Sequence, residues 1–490
     1  MGRPPGAPSV VSPLGNERGL TVGAFLLLVL IAIGAAWWIL RAPLKPERPP
    51  EGTPIPPAPT RSARPSFPGP TVPPPPPAAR LAEPAAPPPV ATASALQTIA
   101  DLIKDSRITE AESRLTEVPP SVLEAERGRE YVSALWNNLG VAKQRKAGAA
   151  AALAAYRAAT TLDPSSTPAW LNLAQAYVET KDPALTREFL ERLIAMAPDE
   201  LLPHLALADL LFDRDELAGA VRHLEQAGQR AGKDPSVHSY LEAVTAKVSQ
   251  AEKAERRFSS RESSHFVVKF DGSEEFDTWT RVLGILEDAY RDIGQKFSYF
   301  PDKPVMVVLH TKAVFSQATG SPAWADGLFD PILGRIQIPT QGALTDQAWL
   351  TRVLRHEFVH ALLHQRMDGQ LGAVPTWFNE GLAMQLAGDA WPDLDQIARG
   401  EIRLIPLGSL EGGWTGLPDQ AAMVAYLEGN SATRFLIERY GMSKVQDILS
   451  ELAKRQSIAS AMHERLFLSY DDFQKRWVDE LNGRLQTTKS

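Results

Sequence analysis

The stretch HEFVHALLH, residues 356–364, sets three histidines and one glutamate into a segment with helical periodicity. Residues four apart on a helix share a face and lie about 6 Å apart along the axis. His356 and His360 can therefore both reach one ion with bonds of about 2.0–2.1 Å. His364 stands one turn further on, roughly 12 Å from His356 along the axis, too far for all three to converge on one tetrahedral ion. It is expected as a packed or partly exposed side chain. Glu357 points about 100° around the helix from His356. From there it flanks the ion and can take a proton from a water made acidic by the metal.

H-E-x-x-H on a helix is the zinc-metalloprotease pattern. A catalytic zinc also needs a third protein donor and one open position. A histidine following in the metzincin pattern is excluded, because Leu363 and Arg366 occupy the places of its glycine and histidine. The other solution is a glutamate on a following helix. VPTWFNEGLAMQLA, residues 374–387, offers Glu380, 20 residues after His360. Asp368-Gly369 suits the intervening turn, and Pro375 suits a helix start. Trp377 and Phe378 are expected in the core.

These residues need a scaffold. HFVVKF (265–270) and VMVVLH (305–310) are short, apolar and β-branched, as buried strands are. Between them, residues 278–297 place Trp279, Val282, Ile285, Leu286, Tyr290 and Ile293 on one helical stripe. GRIQIP (334–339) predicts a further strand after a turn at Leu333-Gly334, and a long helix follows over about 345–367. The order strand–helix–strand–strand–helix predicts an α+β unit with a small sheet.

Upstream, three segments align on a period of 34 residues. Trp136-Leu139-Gly140 matches Trp170-Leu173-Ala174 and His204-Leu207-Ala208. Tyr156, Leu190 and Leu224 keep the same step, as do Ala159, Leu193 and Ala227. Pro164 and Pro198 close the first two units. This register resembles the tetratricopeptide repeat. Gly140, Ala174 and Ala208 allow the two helices of a pair to approach closely. Stacked pairs then bury a core that one pair cannot build alone. A fourth, degenerate unit is expected near His238-Leu241, and residues 95–130 are expected to be helical and to cap the stack. His204 and His223 are expected as packing or surface residues.

HEFVH followed by PTWFNEGLA resembles the gluzincin metallopeptidases, specifically the bacterial peptidase MA-like domains fused to tetratricopeptide repeats. The resemblance covers roughly residues 259–450. It implies zinc bound by His356, His360 and Glu380, with Glu357 as general base. SPAWADGLFDPILGRIQIP, residues 321–339, looks like the hairpin that precedes the zinc helix in that group. The resemblance further implies that Gly334–Pro339 is an edge strand that pairs with an extended peptide substrate. Gluzincins also use a downstream Tyr or His to stabilise an oxyanion, and Tyr426 in AYLEGNSATRFLIERYG fits best. An ordinary half-buried tyrosine is the competing reading of Tyr426. Relatives of the thermolysin type carry an Asp four residues after the glutamate ligand, to orient a zinc histidine. Met384 stands there in this chain, so that orienting contact must come from elsewhere.

The whole chain sets the context. At 490 residues, two or three folded units plus unstructured segments are expected. Net charge is −7 with acids and bases interspersed, which argues against a nucleic-acid partner. The absence of cysteine excludes disulfides and thiolate-bound zinc. Residues 20–40 are 21 uncharged, mainly apolar positions bracketed by Arg18 and Arg41. They predict a single transmembrane helix of roughly 31 Å, with Trp37 and Trp38 at an interface. A cleaved signal peptide is the alternative, with a shorter apolar core. Residues 42–94 are proline-rich and predict an extended, disordered linker. The flanking basic residues lean towards a cytoplasmic C-terminal part. The linker, with a reach on the order of 150 Å, favours an extracytoplasmic one, in the periplasm or cell envelope.

The expected layout is an N-terminal tail (1–19), a membrane helix (20–40), a linker (42–94), an α-helical repeat solenoid (95–255) and an α+β zincin-like domain (259–485). Two function classes remain open. One is a membrane-anchored zinc metallopeptidase acting on peptide or protein substrates, with the repeats binding substrate or a protein partner. The other is a noncatalytic repeat adaptor with a retained zinc-binding domain. Hydrolysis of a nonpeptide envelope polymer is a third, weaker reading.

Overall fold

The computed structural model describes residues 79–82, 90–271, 276–319, 327–339, 346–388, 394, 404–414, 417 and 419–487. The expected tail, the membrane helix at 20–40 and most of the linker lie outside the described residues. Among the described residues, no helix is long and apolar enough to cross a membrane. The chain divides into two compact units, one from Pro70–Arg281 and Val305–Thr345, the other from Val282–Pro304 and Asp346–Ser490.

The first unit opens with ten helices: α1 (Val90–Lys104), α2 (Ile108–Thr116), α3 (Pro120–Glu124), α4 (Gly128–Ala147), α5 (Ala149–Leu162), α6 (Thr167–Thr180), α7 (Arg187–Met196), α8 (Leu201–Asp213), α9 (Leu217–Gln229) and α10 (Pro235–Glu255). α4/α5, α6/α7 and α8/α9 are the three helical pairs of the 34-residue period. Gly140 is needed for the first pair, because a Cβ there would stand 2.5 Å from Tyr156 Cε1. Ala174 and Ala208 are likewise buried. Leu190, Leu207, Leu211, Leu224 and Leu241 share one core that runs through the later pairs into α10. Helix α1 begins at Val90, a few residues inside the stretch expected to be linker.

A five-stranded mixed sheet completes this unit: β1 (Phe258–Glu262), β2 (Phe266–Asp271), β3 (Val305–His310), β4 (Leu328–Asp330) and β5 (Arg335–Pro339), in the order β1-β2-β3-β5-β4. Parallel pairing of β2 with β3 and of β3 with β5 accounts for the nearly continuous apolar runs of β2 and β3, since such strands are buried on both faces, whereas β5 alternates Ile336 and Ile338 with buried Arg335 and Gln337. The expectation that Gly334–Pro339 is an edge strand is corrected. β5 pairs with β3 on one side and β4 on the other, and all five of its residues are buried. Its main-chain groups are spent in the sheet and cannot receive a substrate strand.

Four charges fasten the sheet to the repeats. Lys269 of β2 binds Asp215 at 3.0 Å and also Glu255. Arg335 of β5 binds Glu255 at 2.9 Å and Asp215 at 3.0 Å. Lys269, Arg335 and Glu255 are buried, and two acids balance two bases, so the desolvation of each is offset by its partners.

The second unit is helical. Helix α11 (Phe276–Phe297) enters it at Val282, and α12 (Lys312–Thr319) belongs to the first unit. Among the described residues, the second unit's further long helices are α13 (Gln347–Arg366), α14 (Thr376–Ala387), α15 (Asp419–Tyr440), α16 (Met442–Ala453), α17 (Ile458–Leu466) and α18 (Tyr470–Thr487). Asp346 caps α13 by accepting from the Trp349 N–H at 2.8 Å. The helix ends where Asp368 and Gly369 take positive φ, with the Gly369 N–H donating to the His364 carbonyl at 2.9 Å. Arg355 ties α13 to Asp292 of α11 and donates to the Ala387 carbonyl at 2.9 Å. Trp377, Phe378, Phe358, Phe473 and Trp477 are fully buried, as expected for Trp377 and Phe378.

Candidate metal centre

Helix α14 is a core helix: eight of its twelve residues are buried. It runs from Pro375, whose missing N–H costs nothing at a helix start, to Gly388, which supplies the left-handed φ of +75°. A carboxylate on such a helix needs partners. Glu380 has them in His356 and His360 across from α13. His356 Nε2 stands 3.4 Å from Glu380 Oε2, and His360 Nε2 stands 3.6 Å from the same oxygen. The two imidazoles meet edge to face at 5.0 Å.

Among the described residues, His356, His360 and Glu380 bring one donor atom each within 4.8 Å of one another. A tetrahedral ion with bonds of about 2.0–2.1 Å holds its donors roughly 3.3 Å apart. The two nitrogen–oxygen distances fit that spacing. Two imidazoles and one carboxylate are also a donor set that zinc accepts. His364 is not in the cluster.

The orienting contact that Met384 cannot make comes from Asn379. Its Oδ1 lies 3.1 Å from His360 Nδ1, the geometry of an Nδ1–H donating to the amide oxygen. This holds the proton on Nδ1 and leaves the Nε2 lone pair turned towards Glu380. Met384 itself is buried one turn further along α14. Asn379 was not among the residues expected from the sequence, because its contact depends on how α14 meets α13.

The electrostatics follow from burial and proximity. Burial opposes ionisation of Glu380, yet His360 and His356 hold its carboxyl well below the usual range. Burial likewise opposes charging of His360, and Glu380 outweighs it, so that imidazole is held above its ordinary value. Glu357 is buried on α13 and its charge acts on both His360 and Tyr426. Tyr426 of α15 stands edge to face against Trp414 at 5.0 Å. Its phenol is pushed far up by the Glu380 charge, then by burial and by Glu357. It therefore stays protonated and can only donate its O–H to a developing anion. The structure thus brings His356, His360 and Glu380 together, and the charges of Glu380 and Glu357 reach Tyr426.

Two glycines allow α14 and α15 to approach this closely. A Cβ on Gly381 would stand 2.1 Å from Thr433 Oγ1 and 2.5 Å from the Gly429 carbonyl oxygen. A Cβ on Gly429 would stand 2.7 Å from the Trp377 carbonyl oxygen. Gly381 neighbours Glu380, and Gly429 lies one turn after Tyr426, so the close approach bears on the distance between the helix segments that carry these two side chains. Nearby, Glu428 is fully buried and accepts from the Ile405 N–H at 3.0 Å. Burial pushes its carboxyl up to about 8, partly opposed by that hydrogen bond.

Residues 299–483 match the model of the Peptidase MA superfamily, and residues 149–200 match a tetratricopeptide-repeat model. No curated protein matches the chain. The first match contains HEFVH, Asn379, Glu380 and Tyr426, and the second spans α5 to the end of α7. The chain therefore carries a Peptidase MA superfamily domain over residues 299–483, joined to tetratricopeptide repeats represented by residues 149–200.

Proposed function

We propose that the chain is a membrane-anchored zinc metallopeptidase of the gluzincin type. His356, His360 and Glu380 hold the metal, Glu357 is the general base and Tyr426 stabilises the oxyanion. The observation that carries this reading is the three-donor cluster on α13 and α14, with Glu357 and Tyr426 electrostatically coupled to it. Zinc, when bound, supplies Lewis acidity to a peptide carbonyl and to the attacking water. Glu357 accepts the proton of that water and returns it to the leaving amine. The Tyr426 hydroxyl donates to the carbonyl oxygen as it gains charge. Asn379 keeps the His360 ring in the tautomer the metal requires.

The remaining parts follow the same reading. Residues 20–40 anchor the chain in a membrane and residues 42–94 space the rest from it, on the extracytoplasmic side. Residues 95–255 bind a protein substrate or partner, and residues 259–485 form the peptidase domain.

The test is zinc per chain by elemental analysis, beside peptide hydrolysis. The parent is expected to hold near one zinc, and Glu380→Ala to lose it. Glu357→Gln is expected to keep the metal and lose hydrolysis by a factor of at least 100, since general-base catalysis contributes about 10²–10⁴. Zinc binding without hydrolysis of any peptide would favour the adaptor reading. Failure of the parent to bind zinc after supplementation would sink the enzyme.

A further inference from the structure

Four residues upstream of the repeats, Ala79–Ala82, lie on the first helices of the first two pairs, α4 and α6, and are held there by three asparagines. The Arg80 N–H donates to Asn172 Oδ1 at 2.8 Å. The Arg80 carbonyl accepts from Asn172 Nδ2 at 2.7 Å and from Asn137 Nδ2 at 3.0 Å. The Ala82 N–H donates to Asn138 Oδ1 at 2.8 Å, and the Ala82 carbonyl accepts from Asn138 Nδ2 at 3.0 Å. Every main-chain polar group of residues 80 and 82 is thus taken up by a side-chain amide, while Leu81 between them is 59% exposed. This is the two-residue alternation of a paired strand, with amides in place of the neighbouring strand.

The asparagines belong to the repeat register. Asn138 and Asn172 are 34 residues apart, one full period, and Asn137 donates across the same face. Asn137 and Asn172 are fully buried, and a buried amide is costly unless both its ends are paired. Asn172 Nδ2 also donates to Asn137 Oδ1 at 2.9 Å, which locks the two amides in the orientation that grips Arg80.

Side chains add selectivity. The Arg80 guanidinium forms a two-pronged bond with Glu200, one arm at 2.7 Å. Ala79 packs on the cluster of Val141, Ala152, Tyr156 and Tyr177, and Ala82 is 8% exposed. The face therefore asks for an extended segment of the form small–Arg–any–small.

We propose that this face of the repeats is a binding site for an extended polypeptide segment of that form, and that Ala79–Ala82 is its built-in occupant. A partner enters by displacing the chain's own segment. A tethered occupant acts at an effective concentration of about millimolar, so the site is closed to weak competitors and opens to a partner segment that is tighter or multivalent. The inference stands on the repeat unit alone and does not depend on the peptidase reading.

The test uses the full chain in detergent and a fluorescein-labelled peptide of residues 77–84, PAARLAEP, read by fluorescence anisotropy. Arg80→Pro with Ala82→Pro removes both N–H donors and the guanidinium from a stretch already rich in proline, leaving the asparagines untouched. This variant is expected to bind the peptide at least 10-fold more tightly than the parent. Adding Asn138→Ala or Asn172→Ala is expected to weaken that binding at least 10-fold. A peptide with Glu in place of the arginine is expected to bind poorly. Asn138 is only half-buried, so its variant keeps the test valid should Asn172→Ala fail to fold, which circular dichroism reports. Equal binding by the parent and the double-proline variant would overturn the built-in occupant. No binding to the double-proline variant at millimolar peptide, or binding indifferent to Asn138, would overturn the site.

Discussion

Asn379 Oδ1 lies 3.1 Å from His360 Nδ1, and this contact decides which nitrogen of the imidazole a metal would meet. With the proton fixed on Nδ1, Nε2 is the nitrogen of His360 whose lone pair is free to bind a metal held jointly with Glu380. Asn379→Ala removes the partner and lets the ring rotate and change tautomer. Loss of such outer contacts weakens metal affinity by about 10–100-fold. Zinc competition titration is expected to find a loss in that range, with Asn379→Asp recovering most of it, because a carboxylate oxygen also accepts from Nδ1. An alanine variant with parental affinity would show that His360 is oriented by packing alone.

Gly381 is a glycine in the middle of a helix, where alanine ordinarily gains about 1 kcal/mol. Here the sign reverses. The added methyl meets Thr433 Oγ1 and the Gly429 carbonyl oxygen, and the second is backbone that cannot rotate away. Overpacking of this kind costs about 1–3 kcal/mol, and α14 must move off α15. Gly381→Ala is expected to lower the melting temperature and weaken zinc binding together, because Glu380 moves with the helix. Gly284, exposed on α11 with open space around its Cα, is the control. Gly284→Ala is expected to be neutral or stabilising. Similar melting temperatures for the two variants would refute the close-approach account.

Glu255 is buried between Lys269 and Arg335. Its removal leaves two cations facing only Asp215, which is itself partly exposed. Breaking a buried pair from one side costs about 3–5 kcal/mol. Glu255→Ala is expected to lose that much in urea unfolding of the unit that contains the repeats and sheet. Replacing Glu255, Lys269 and Arg335 together with apolar residues is expected to recover most of it. A single variant within about 0.5 kcal/mol of the parent, the range of ordinary surface changes, would mean that the charges are satisfied by water instead.

The elements with strong periodicity were legible in the sequence, and the contacts between elements were not. The 34-residue register located the three helical pairs, because each pair repeats the same small and large residues. Apolar, β-branched runs located β2 and β3, and the alternation in GRIQIP located β5. β1 was missed because four of the five residues in FSSRE are exposed, leaving no apolar signature. β4 has three residues and no period to detect, and only the resemblance of residues 321–339 to a hairpin pointed to it. Its pairing with β5 is why the strand expected at the edge is interior. At the candidate site, His356, Glu357 and His360 follow from helical geometry, and Glu380 follows from the need for a third donor. Asn379 and the Gly381–Gly429 approach could not be read, since each depends on how α14 meets another helix. Asn138 and Asn172 stood in the repeat register, but nothing in the sequence says that a segment some 60 residues upstream of Asn138 would lie against them.

Glu428 makes stability depend on pH in a direction that can be worked out. Its carboxyl has an ordinary value of 4.5 and is raised to about 8 in the fold, chiefly by burial. The folded chain therefore keeps a proton there that the unfolded chain releases above about pH 4.5. The stability associated with the neutral carboxyl is fully present below that pH and is lost progressively as pH rises through about 8. At 1.36 kcal/mol per unit, the swing is at most about 5 kcal/mol. Glu428→Gln keeps an acceptor for the Ile405 N–H and cannot ionise. The variant is expected to match the parent near pH 5 and to be more stable at pH 8, with most of the gain appearing between pH 6 and 8. Urea unfolding at pH 5, 6, 7 and 8 checks this. A parent–variant difference that stays constant across that range would mean that Glu428 keeps its charge in the fold, supported by solvent that reaches it from the Ile405 side.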